Sequence, residues 1–127
     1  MKVLLDTRAF LWFMAGDTRL SPKARKVMSD ANTELFLSAA SVWEMAIKAA
    51  LGRLVLPVSV GDYIAGKVRN GLHIMPIEWI HAAAVQDMPT HHRDPFDRLI
   101  VAQAIAENLP LVSGNRLLKK YGLTLIW

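Results

Sequence analysis

A chain of 127 residues and 14.2 kDa fits a single domain, residues 1–127, large enough to bury a core without disulfides or a structural metal. The absence of cysteine excludes a disulfide framework and thiolate metal sites and makes a reducing, cytoplasmic setting the simplest expectation. No signal-peptide pattern opens the chain and no apolar run approaches the roughly 20 residues of a membrane span, while 15 Lys and Arg against 11 Asp and Glu give a net charge of +4 that favours a polyanionic partner.

In chain order, KVLLD (2–6) is a short apolar strand ending on an acid, and TRAFLWFMAG runs at helical spacing to a stop at Gly16. In LSPKARKVMSD (20–30), Ser21 and Pro22 are the N-cap and first-turn proline of a second helix. ELFLSAA (34–40) is a buried strand and SVWEMAIKAALG (41–52) an amphipathic helix closed by Gly52. After the connector RLVLP, residues 60–71 form a further helix, HIMPI (73–77) a third strand and EWIHAAAVQDM (78–88) a helix. A polar loop over 89–93 leads to a long apolar helix from Asp94 to Asn108, followed by a strand (109–114), a short helix (115–122) and a closing strand (123–127). Short strands apolar on both faces and separated by helices predict an α/β fold with a parallel sheet sandwiched by helices. Ligands in such folds bind beyond the carboxyl ends of the strands.

Acids gather at those ends. Asp6 closes the first strand, Glu44 lies early in the helix after the second, Asp94 and Asp97 begin the helix leading to the fourth, and Asn115 follows that strand. Each has a plain structural reading: Asp6 or Thr7 can cap a helix, Ser41 to Glu44 matches a capping box, and Asp94-Pro95-Phe96-Asp97 is a helix start with acids beside the positive dipole end. Together they suggest more, because clustered carboxylates raise one another's pKa values unless a cation neutralises them. Oxygen-only donors favour Mg²⁺ or Mn²⁺, ions that keep sites open for phosphate oxygens, and the matching substrate is a phosphodiester.

The stretches LLDTRAFLWF, LSAASVWEMAIKAALGRLVLP, HHRDPFDRLIVAQAIAENLPLVSGN and YGLTLIW resemble the PIN-domain nucleases, specifically the VapC-type toxins of bacterial toxin–antitoxin pairs, across nearly the whole chain. The resemblance implies a PIN-like three-layer α/β/α fold with a central, mostly parallel sheet of about five strands, and a metal-dependent endoribonuclease. Its acids are Asp6, Glu44 and Asp97, with Asp94 accessory and Asn115 at the fourth acidic position, all around Mg²⁺ or Mn²⁺. It further implies an RNA substrate and a cognate antitoxin whose tail covers an apolar groove and reaches the acidic pocket with a basic side chain. The apolar content of 53% leaves surface for such a partner and for a homodimer.

Two departures stand out. Many relatives have Asp where Asn115 stands, which weakens the case for a second metal, and many have His where Arg8 follows Asp6-Thr7. Arg8 either binds RNA phosphate or competes with the metal. Thr7, Arg8, Arg93, Arg98 and Ser113 are candidate substrate contacts; Arg93 and Arg98 are equally readable as surface ion pairs. His91 and His92 lie at the mouth of the proposed site but are left out of the catalytic set. Glu78 reads as a helix cap. Trp12, Trp43 and Trp79 read as core, and the remaining basic residues, Lys48 among them, as solvated helix faces. The helix after Asp97 is apolar nearly all round, so its body lies between the sheet and either another helix or a second subunit.

A signalling receiver domain shares the parallel fold and an acidic Mg²⁺ pocket, but it needs an aspartate at the end of the third strand, where HIMPIEW has none. The remaining alternative is a catalytically degenerate PIN-like protein that binds RNA or other partners without cutting, a reading that Asn115 and Arg8 encourage.

Overall fold

A computed structural model describes residues 1–91 and 94–127. Its five strands, β1 (Lys2–Leu5), β2 (Glu34–Ser38), β3 (His73–Met75), β4 (Leu111–Val112) and β5 (Leu125–Ile126), form one sheet in the order β3-β2-β1-β4-β5. Every pairing is parallel, with Leu4 opposite both Phe36 and Leu111, so the sheet expected to be mostly parallel is wholly so. The helices are α1 (Thr7–Ala15), α2 (Pro22–Ser29), α3 (Ala39–Ala50), α4 (Val60–Arg69), α5 (Trp79–Ala84) and α6 (Pro95–Ala106), with 3-10 turns at Val85–Asp87 and Arg116–Tyr121.

Alternation along the strands builds the three layers. Val3, Leu5, Leu37, Val112 and Ile126 point to one side and pack with Phe10 of α1, Met28 of α2, Met45 of α3 and Ile64 of α4. Leu4 and Leu111 point to the other side and meet Ile100, Val101 and Ala104 of α6. The period of two in each strand therefore sorts side chains between two cores. Because α6 packs on the sheet and also against α3 and α5, its side chains from Ile100 to Ala104 are buried within the same chain, while Ile105 stays 49% exposed. Among the described residues no helix is long and apolar enough to cross a membrane.

Two expectations fail locally. The helix after β2 starts at Ala39, two residues before Ser41, and Ser38 is the N-cap, accepting the Ala40 N–H at 3.0 Å. Ala39 and Ala40, strong helix formers, carry the helix back to the strand end, and Ser41 with Glu44 then sits inside α3 rather than forming a capping box. Trp43 and Trp79, expected in the core, are 60% and 78% exposed. The inward stripe of α3 is Ala40, Ser41, Glu44 and Met45, so the polar pair takes the place that apolarity alone assigned to Trp43; the Trp43 ring packs edge-on against Phe96. In α5 the buried side chain is His81, whose Nδ1 accepts the Glu78 N–H (3.0 Å). Glu78 is the N-cap residue of that helix, as expected.

Candidate active site

The strand order reverses at β1, which pairs with β2 on one side and β4 on the other. That switch point is where a parallel sheet opens a crevice beyond its carboxyl ends. A cleft of about 820 Å³ lies there, and Asp6, Glu44, Asp94, Asp97 and Asn115 all line it.

Asp6 follows β1 and is the N-cap of α1, its Oδ1 accepting the Ala9 N–H at 2.7 Å. Burial pushes its pKa up; the Ser113 hydroxyl, the Ala9 N–H and the Arg8 charge oppose this, and Glu44 adds to it. Ser113 is fully buried beneath it, so its hydroxyl positions Asp6 and is not an accessible substrate contact. Thr7 is likewise buried and committed: its hydroxyl donates to Glu44 Oε1 at 2.7 Å and shares a 2.9 Å hydrogen bond with Ser41. A threonine has one proton to give, and a carboxylate can only accept, so Ser41 is the donor in the second bond.

Glu44 meets Lys48, one turn on, through Oε2 at 2.7 Å. Lys48, expected on a solvated helix face, is instead a cation on the wall of the acid cleft. The spacing of four in WEMAIK was the available signal.

Asp94 is the N-cap of α6, its Oδ1 accepting from Phe96 N–H (2.9 Å) and Asp97 N–H (3.2 Å). Asp97, in the first turn, is pushed up to about 7, first by burial and then by the negative charges of Asp94, Asp6 and Glu44, with Arg8 opposing. The dipole at the amino end of α6 favours the ionised form by only ~1 kcal/mol, and burial among like charges outweighs it. Arg8 itself is exposed on the rim of the cleft. Asn115 caps the 3-10 turn, its Oδ1 accepting the Leu117 N–H at 3.2 Å, which engages the oxygen expected to face a metal.

Arg98 does not line the cleft. Its guanidinium donates to the carbonyl oxygens of Pro89 (3.0 Å), Val85 (3.2 Å) and Met88 (3.4 Å) and to Tyr121 Oη (3.3 Å), so it clasps the segment before α6 rather than substrate. His91 packs edge-on against Tyr121 and is also absent from the lining. Arg93 and His92 lie outside the described residues. Sequence reasoning missed the rest of the lining, Trp12, Arg19, Gly114 and Trp127.

The groups in the cleft able to ligate a metal, Asp6, Glu44, Asp94, Asp97 and Asn115, offer oxygens, and burial holds the carboxyls of Asp6 and Asp97 toward their neutral forms. That donor set fits a hard divalent cation. Among the described residues no three acids or histidines already form a metal-coordinating group.

The PIN domain family model matches residues 3–123. Ribonuclease VapC22 of Mycobacterium tuberculosis is 31% identical over 119 residues, spanning 94% of this chain and 91% of the relative. The structure of VapBC2 from Rickettsia felis bound to a DNA fragment of its promoter superposes with a TM-score of 0.70 at 17% identity, covering 98% of this chain and 97% of that one. A toxin–antitoxin complex from Klebsiella pneumoniae gives 0.60 at 16% identity, over 89% and 86%. Matched from end to end by the family model and by a relative of nearly the same length, the chain belongs to the PIN-domain family, in its VapC-type branch.

Proposed function

We propose that this protein is a divalent-metal-dependent endoribonuclease and the toxin of a toxin–antitoxin pair. One observation carries the reading: Asp6, Glu44 and Asp97, supplied by three separate elements, meet in one cleft at the switch point of the sheet, with Asp97 pushed up to about 7. The likeness to ribonuclease VapC22 supports the RNA substrate.

Asp6 and Asp97 are the residues to hold Mg²⁺ or Mn²⁺, with Glu44 and Asp94 beside them; Asn115 is the weakest member because its oxygen caps a turn. When bound, the ion supplies Lewis-acid polarisation of the phosphodiester and acidifies water for attack. The chain's own residues supply the rest. Ser113 and the Ala9 N–H fix the Asp6 carboxylate, and Thr7 and Lys48 fix Glu44 through opposite oxygens. Arg8, exposed on the rim, is placed to meet a phosphate of the strand. Asp97 would be ionised at neutral pH beside such an ion, whose charge would offset the burial and the repulsion that raise its pKa.

The partners proposed are a cognate antitoxin and a second copy of the chain. The toxin–antitoxin complex among the similar structures supports the first. Exposed Trp43 and Ile47 on α3, Leu51 at its C-cap, and Trp79 and Ile80 on α5 supply apolar surface for protein contacts. Induced expression tests the toxin reading. Wild-type chain is expected to halt growth with loss of intact RNA, and Asp97→Asn to leave both unaffected; unimpeded growth at high yield of folded wild-type protein, without a co-expressed neighbour, would overturn it.

A further inference from the structure

The lining of the cleft beside the acids carries a fixed flat cation. Helix α1 ends at Gly16 in the left-handed region (φ 65°), and the chain doubles back so that Asp17 N–H reaches Trp12 O at 2.8 Å. Asp17 then grips Arg19. Its Oδ1 accepts the Arg19 backbone N–H (2.9 Å) and Nε (3.1 Å), and its Oδ2 accepts Nη2 at 2.7 Å. Arg25 locks the turn from behind, its Nη2 donating to Asp17 O at 2.7 Å. So held, Arg19 lies over the Trp12 indole, 5.0 Å from the ring centroid, with its side chain still 69% exposed.

This arginine is poorly suited to be a phosphate anchor. Its charge is met by a carboxylate that those hydrogen bonds pull down to about 2, so the pair stays ionised at working pH. What remains is a planar guanidinium, one side toward an indole and one edge on a carboxylate, with its open side at the cleft. Flat guanidinium and aromatic faces are what unpaired bases stack on. The surroundings are equally set: Trp12 tilts against Trp127 with centroids 6.0 Å apart, and a Cβ on Gly114 would come within 2.9 Å of the Trp127 indole. Gly114, between buried Ser113 and the cap residue Asn115, thus leaves room for Trp127 to close the wall beside the acids.

We propose that Arg19, braced by Asp17 over Trp12, is a stacking shelf for an unpaired nucleobase of the RNA strand lying in the cleft. The proposal rests on the ribonuclease reading and adds a preference for single-stranded segments, whose bases are free to stack. A prebuilt turn also means that little ordering entropy is lost when the base arrives.

The test uses a mixed-sequence single-stranded oligoribonucleotide and its abasic counterpart, both in EDTA, with affinity read by fluorescence anisotropy. Arg19→Ala and Arg19→Lys are both expected to bind the mixed strand roughly 10-fold more weakly than wild type, and the abasic strand no differently from it. Arg19→Lys keeps the charge and loses the plane, so wild-type affinity in that variant overturns the shelf in favour of a phosphate contact. Equal weakening on the abasic strand overturns it as well. If wild type cuts RNA and Asp97→Asn does not, while both Arg19 variants bind as wild type, the shelf falls and the nuclease stands. A wild-type chain that neither binds nor cuts RNA overturns both.

Discussion

Replacing Asp97 by Asn is expected to stabilise the metal-free protein while abolishing its activity. Asp97 is pushed from 3.8 to about 7 by burial and by Asp94, Asp6 and Glu44. A folded-state pKa above the unfolded one means that the folded protein binds this proton more tightly. The contribution of this group to stability is therefore fully present below about pH 4 and is lost as pH rises through about 7. The difference corresponds to at most about 4 kcal/mol, and screening at the open mouth of the cleft reduces it to ~2 kcal/mol. For a chain of this length that is a rise in Tm of roughly 6 °C. Thermal unfolding of both forms in EDTA should show this gain at pH 8 and almost none at pH 4. Added Mn²⁺ should then stabilise wild type, whose carboxylate it pairs, more than the variant. An Asp97→Asn protein less stable than wild type at pH 8, or a gain equal at both pH values, would refute the electrostatic account.

Other expectations follow from single contacts. Thr7→Val keeps the shape of the side chain but removes the donor to Glu44 Oε1, so Mn²⁺ affinity by calorimetry and RNA cleavage should both fall about 10- to 100-fold; unchanged values would mean that Glu44 needs no such support. Arg98→Ala removes the donor to three carbonyls and Tyr121 and should lower unfolding stability by about 1–3 kcal/mol with RNA affinity in EDTA retained; the reverse pattern would restore Arg98 as a substrate contact. Ser38→Ala should cost ~1 kcal/mol as a lost helix cap, measured by urea unfolding, and no loss would place the start of α3 elsewhere. Light scattering at micromolar concentration should give the mass of a homodimer, and a monomer mass would leave the exposed side chains of α3 and α5 to a different partner.

Much of this was legible in the sequence because local rules agree with the fold. Ser21-Pro22 and Asp94-Pro95 mark helix starts where cap chemistry and proline geometry coincide, and both are N-caps in the structure. Short apolar strands between helices left little choice but a parallel sheet, and the acids at their ends could be placed at one edge. Where two local solutions compete, the sequence is silent. Ser38 and Ser41 are both good caps, and the intervening alanines decide for the first. On a helix as apolar as α3, periodicity cannot say which stripe faces inward. That stripe includes Ser41 and Glu44, whose polar groups are met by the Thr7 hydroxyl. Arg98 and Lys48 depart from their expected roles for a similar reason: both are long cations, and only tertiary structure reveals that one holds carbonyls and the other a cleft carboxylate. The Trp12, Arg19 and Trp127 wall joins residues more than a hundred positions apart, beyond the reach of any local pattern.

The central claim is that the carboxylate cleft cuts RNA with a divalent ion. Incubating a tRNA pool with purified protein in Mg²⁺, Mn²⁺ or EDTA, beside Asp97→Asn, tests it most directly. Cleavage that requires the metal and disappears in the variant is the predicted result. RNA that is bound by every form and cut by none, regardless of chelator, would contradict it and mark the protein as a binding-only member of its family.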